Sequence, residues 1–273
     1  HIQSIKKFQK GGEDMLDWFT AMSLENFIFV LVMCFIAAAV DAIAGGGGLI
    51  SLPAMISTGL PIHLVMGTHK FSSVCSSIGS SLKFFTSGKT NFEILKYLIG
   101  LNIFGAAFGV YILTKINDAF LEPLIIILLI IMFFYMWFNR GIGVEDNYKG
   151  KTKKNMIQGA LMATVIGFYN GFFGPGTGSF LTFAFIKIYG MEFINSSGNS
   201  KILNLTGNIA SLSMFIYFGK VNYPYAIAIG IVMFLGAQMG AQIAIMKGAR
   251  FIKPFFLVIT AITAVKMVIT KFI

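Results

Sequence analysis

Apolar residues run through this chain in long blocks with short polar breaks between them. The blocks cover about 26–44, 47–59, 62–87, 92–115 and 118–139, then 156–174, 177–190, 194–218, 222–246 and 249–271. Most have the length and apolarity that a helix needs to cross a hydrocarbon layer of about 30 Å. Blocks 47–59 and 177–190 are too short for that, and each is entered through glycine. The pattern predicts an all-α polytopic membrane protein in four parts. Residues 1–25, with Trp18 and Phe19 among mixed charges, form an amphipathic interfacial segment. A first membrane repeat follows at 26–139, then a basic loop at 140–155, then a second membrane repeat at 156–273.

The two series are related by a shift of 131 residues. Without a gap, Gly45 falls on Gly176, Gly47 on Gly178, Gly67 on Gly198, Lys70 on Lys201, Asn91 on Asn222 and Pro123 on Pro254. Identities occur at 17 positions of residues 41–124, and they include Lys, Asn and Pro as well as glycine. Internal symmetry of this kind is a sequence trace of secondary-transporter folds.

Composition supports the bilayer reading. Of 273 residues, 56% are hydrophobic and 12% charged, about half the roughly 25% charge of soluble domains. The chain is also too apolar for disorder. The net charge of +10 would suggest a nucleic-acid partner in a soluble protein. Here most charges fall at block ends, so they speak to orientation and the reading includes no nucleic acid. Arg140, Lys149, Lys151, Lys153 and Lys154 lie in one loop, and Lys247, Arg250 and Lys253 in another. The positive-inside rule places both in the cytoplasm. An even number of crossings must then separate them, so the short block 177–190 counts as one. Five segments per half make the two repeats inverted, with both termini extracytoplasmic in an inner or plasma membrane. Four crossings per half, with the short segments re-entrant, is the alternative that stays open. Cys34 and Cys75 suggest neither a disulfide framework nor a metal motif, and no cofactor is implied.

Ionisable groups at membrane depth are expensive and functional by default. Lys70 and Lys201 each lie about 12 Å into their helices. In inverted repeats both would reach the midplane, where an alternating-access site belongs. Neighbouring Thr68, Ser72, Asn199, Ser200, Asn204 and Asn208 supply hydrogen-bonding groups that suit an anion or, equally, helix packing. Ser80 and Ser211 read as packing. The glycine runs contribute Gly46, Gly47 and Gly48, and Gly176, Thr177 and Gly178. A helix break there would present free N–H groups to an anion. Asp41 is the one acid deep in an apolar run. It is a coupling candidate that could pair with Lys70, carry a proton or ligate a cation. Asn170 holds a related place before the second break, though not at the 131 offset. Gln238 and Gln242 share a helix face and, with His69 and Cys75, are pathway candidates.

The stretches Gly45–Pro53, Gly67–Ser73, Gly171–Gly178 and Gly198–Asn204 together resemble the sulfite exporter TauE/SafE family, also called the toluenesulfonate uptake permease family. The resemblance covers nearly the whole chain beyond residue 25. It implies a non-enzymatic transporter of small sulfur oxyanions or organosulfonates, such as sulfite, thiosulfate or sulfoacetate. Where the family commonly has Asn between the Thr and Lys of the first motif, this chain has His69. An anion channel and a cysteine-dependent sulfur relay are the alternatives, and a homodimer is compatible with all three.

Overall fold

A computed structural model of the chain describes residues 24–138 and 147–247. Residues 1–23 of the expected interfacial segment, the last apolar block, and Arg140, Arg250 and Lys253 lie outside the described residues. Nine helices occupy the rest: α1 Leu24–Ala44, α2 Gly48–Ile56, α3 Ile62–Thr86, α4 Phe92–Leu113, α5 Asp118–Phe138, α6 Lys153–Phe172, α7 Thr177–Tyr189, α8 Phe193–Tyr217 and α9 Tyr223–Lys247. Their bounds follow the apolar blocks closely, because in hydrocarbon every backbone polar group must be satisfied within its own helix. Local signals set several ends. Asn91 caps α4 by accepting from the Glu93 N–H at 3.1 Å, and Thr152 caps α6 by accepting from Asn155 at 3.2 Å. Gly190, at φ 73°, ends α7.

Among the described residues, three helices are long and apolar enough to cross a bilayer by composition alone: Leu24–Ile43, Phe92–Leu113 and Tyr223–Lys247. Helices α3 and α8 are as long but more polar, and the fold explains why. Their Thr68, Ser72, Ser200 and Ser211 are fully buried. Large apolar side chains such as Phe104, Leu161, Val165, Ile231 and Met239 face outward. A polar interior inside an apolar exterior is the reverse of a soluble protein's surface, and suits a lipid surround.

Close contacts give the helix directions. Gly105 lies against Thr164 and Phe168, and Gly109 against Phe168 and Phe172, so α4 and α6 run parallel. Gly236 lies against Phe35 and Gly240 against Ala39, so α9 and α1 run parallel as well. Helix α9 also keeps step with α3, through Ser72 to Ala226 and Gly79 to Phe234. Helix α4 keeps step with α8, through Asn91 to Asn199 and Asn102 to Leu203. Helices α3 and α8 are antiparallel: Ser77 bonds Asn208, while the later Ser81 bonds the earlier Lys201 carbonyl. So α1, α3 and α9 point one way, and α4, α6 and α8 the other. The first helix of each half packs on a late helix of the opposite half.

Candidate functional site

The two glycine breaks meet at the centre. Gly45 has φ 80° and Gly176 φ 83°, a region that side-chain-bearing residues avoid. The Ser179 N–H donates to the Gly45 carbonyl at 3.2 Å, and Gly48 touches Pro175. A Cβ on Gly45 would collide with the Gly178 backbone, so the crossing of the two chains requires glycine.

Each interior lysine reaches across to the break of the other half. Lys70, 2% exposed, donates from Nζ to the Asn170 carbonyl at 2.5 Å and to Asn170 Oδ1 at 2.8 Å. A third, longer bond goes to Asn208 Oδ1 at 3.3 Å. Lys201, 1% exposed, donates to the Asp41 carbonyl and to Asp41 Oδ2 at 3.0 Å. Asp41 therefore pairs with Lys201 rather than Lys70, because α1 packs beside α9 and ends at the middle of α8. The other Asp41 oxygen accepts from the Gly47 N–H at 3.2 Å. Asn170 stands in Asp41's place, offset by 129 residues instead of 131. Its Oδ1 also faces the Thr177 hydroxyl at 3.5 Å, and its buried Nδ2 has no partner among the described residues.

Between the breaks lies a small polar cavity. Its lining includes Asp41, Gly47, Gly48, Ser51, His69 and Lys70 from the first half. Asn170, Gly176, Gly178, Asn204 and Asn208 line it from the second half, and Ser73, Ser76 and Ser77 complete its polar wall. The cavity measures ≈ 30 Å³, room for about two waters. His69 Nε2 is bonded to Ser51 Oγ at 2.8 Å, and its buried Nδ1 has no partner among the described residues. Among the described residues no group of three His, Cys, Asp or Glu side chains could hold a metal ion.

Other sequence candidates sit apart from this cavity. Thr68 accepts from the Asn222 N–H at 2.9 Å, and Asn199 accepts from the Asn91 N–H at 2.7 Å. These are matching struts, 131 residues apart on both sides. Ser72 donates to the Thr68 carbonyl at 3.1 Å and to the Ala226 carbonyl at 3.4 Å, against α9. Ser200 donates to the Gly178 carbonyl at 2.8 Å and holds the second break against α8. Thr177 donates to the Gly174 carbonyl at 2.6 Å. Gly46, Lys201, Gln238, Gln242 and Cys75 are not in the lining. Gln238 and Gln242 are half-buried on α9, and Cys75 packs against Gly230.

A wider hollow of ≈ 210 Å³ opens where α3 turns into α4, lined by Lys89, Asn91, Tyr148, Met191, Asn195 and Asn199 among others. Beside it Lys151 bonds Glu93 at 2.9 Å, and this hydrogen bond holds the exposed Lys151 ammonium above the usual lysine range.

Sequence reasoning noted Asn170 as holding a place related to that of Asp41 without making it a site residue, and it singled out neither Ser51 nor Asn102. A two-residue gap placed between Asp41 and Gly45 would have aligned Asp41 with Asn170. The others carry no charge and recur at no offset.

A polytopic helical protein whose broken helices meet at a buried, cationic, polar cavity has the architecture of a membrane transporter. The chain belongs to the sulfite exporter TauE/SafE family, whose model matches residues 30–267. It is 31% identical to a Sinorhizobium sp. protein named "Probable membrane transporter protein ORF9", over 88% of this chain and 91% of that one. It is 30% identical to a "Probable membrane transporter protein" of Haemophilus influenzae, over 88% of this chain and 94% of that one. To the "Probable membrane transporter protein YfcA" of Escherichia coli K12 it is 28% identical, over 92% and 94% of the two chains. No solved structure matches this chain.

Proposed function

We propose that the protein is a secondary transporter of small sulfur-containing anions, which bind in the central cavity at Lys70. The observation that carries this reading is a buried lysine whose three partners are all uncharged oxygens. An ammonium at this depth is costly without a counter-charge, and a visiting anion supplies one. Asn204, Asn208, Ser73, Ser76 and the Gly178 N–H at the start of α7 offer further partners.

The two halves act as inverted repeats. Equivalent helices run in opposite directions, and equivalent contacts recur across the pair, as with Gly67 on the Lys220 carbonyl and Gly198 on the Lys89 carbonyl. Ser77 and Asn208, equivalent by the 131 shift, bond each other at 3.0 Å on the axis between the halves. Rocking one half against the other around this axis would expose the cavity to each side in turn. Lys89, Lys149, Lys151, Lys153, Lys154 and Lys247 gather at one end of the bundle, which the positive-inside rule makes cytoplasmic. The start of α1 then faces the extracytoplasmic side of the plasma membrane.

The test is counterflow of labelled sulfite in liposomes that contain the purified protein. Saturable exchange is expected, with at least a 100-fold loss in Lys70→Ala. Single-channel current would instead make the protein a channel, and undiminished exchange in Lys70→Ala would remove the site.

A further inference from the structure

Resting on that reading, we infer that the cavity selects singly charged oxyanions, because Asp41 neutralises Lys201 and leaves Lys70 as its one uncompensated charge among the described residues. Two lysines at matching positions would by themselves make a site for a divalent anion. The residues that receive them are not matched. Asp41 presents a carboxylate to Lys201 and to the Gly47 N–H. Asn170, in the corresponding place, presents only an amide oxygen to Lys70 and to Thr177. The first break therefore carries its own built-in anion. The second break has none, so the Gly178 N–H, equivalent to that of Gly47, faces no carboxylate from its own half.

Among the described residues, the charges within reach of the cavity, Lys70, Lys201 and Asp41, sum to +1. His69 also lines the cavity, bonded through Nε2 to Ser51, and as a neutral imidazole it adds nothing to this sum. A monoanion brings the occupied site to neutrality. A dianion leaves one buried negative charge without a partner, which low-dielectric surroundings penalise. The 3.3 Å bond from Lys70 to Asn208 is the longest of its three, and is the one an anion would replace.

Methanesulfonate and sulfate test the charge rule, since they differ by a methyl group in place of one charged oxygen. Binding is measured by calorimetry on the full chain in detergent at pH 7, with flux in liposomes as a second readout. Wild-type protein is expected to bind methanesulfonate at least tenfold tighter than sulfate. Asp41→Asn gives Lys201 the same amide partner that Lys70 already has, so it should fold, and the raised charge should bring the ratio to unity or invert it. Asn170→Asp gives Lys70 the partner that Lys201 already has. It should keep the wild-type melting temperature and lose at least 100-fold in affinity for both anions. A wild-type preference for sulfate overturns the rule, and so does an Asn170→Asp protein that binds methanesulfonate within threefold of wild type. If wild-type protein binds neither anion and exchanges no sulfite, the transporter reading falls, and the rule with it.

Discussion

Asp41→Ala is expected to destabilise the protein by about 3–5 kcal/mol, the usual result of stripping a buried ion of its partner. Alanine leaves Lys201 Nζ with only the backbone carbonyl of residue 41. It also removes the acceptor of the Gly47 N–H at the mouth of the first break. Lys201 has no short way to water, because its side chain is 2% exposed. The measurement is unfolding in a mixed-detergent titration, arranged as a double-mutant cycle with Lys201→Met. Removing both partners replaces a buried pair with apolar bulk, which is often neutral, so Asp41→Ala/Lys201→Met should recover most of the loss. A single Asp41→Ala variant within 1 kcal/mol of wild type would show that the pair is not the structural tie described above.

The second large effect is expected at the crossing of the breaks. Gly45→Ala asks alanine to adopt a φ of 80° and sets its Cβ against the backbone of Gly178 and Ser179. The conformation alone costs about 1–2 kcal/mol, and forcing two backbones apart adds about 1–3 kcal/mol. Both penalties fall where the cavity is built, so anion binding should disappear along with stability. Gly59→Ala is the control. It has φ 75° but nothing within 4 Å of the added Cβ, so only the conformational cost applies and binding should persist. Equal stability of the two variants would mean that the breaks do not touch as described.

Much of the fold is legible in the sequence, because a bilayer leaves the backbone few choices. The block 62–87 became α3 at Ile62–Thr86, and 177–190 became α7 at Thr177–Tyr189. The lysines could be picked out too, since charge at membrane depth is rare. Their partners could not. Pairing depends on which helices lie side by side, and α1 lies beside α9, far along the chain. The two-residue slip between Asp41 and Gly45 hid Asn170 from a gapless comparison. Thr68 and Asn199 resembled ligand groups by composition. Only the geometry shows that each takes up the N–H of an asparagine, Asn222 or Asn91, at the start of a helix in the other half.

The exchange of first helices between the halves also governs how the chain is assembled. Helix α1 leaves the ribosome early, yet its packing partner α9 ends about two hundred residues later. At about 5–20 residues per second that is a wait of roughly 10–40 s. For part of that time Asp41 is in the membrane before Lys201 has been synthesised. The nascent first half is thus an unfinished object, holding a carboxylate with no counter-ion and a glycine stripe with no helix against it. An insertion factor that shelters α1 until α9 arrives would act on that interval. A gene cut between the halves would require both products to enter the membrane together.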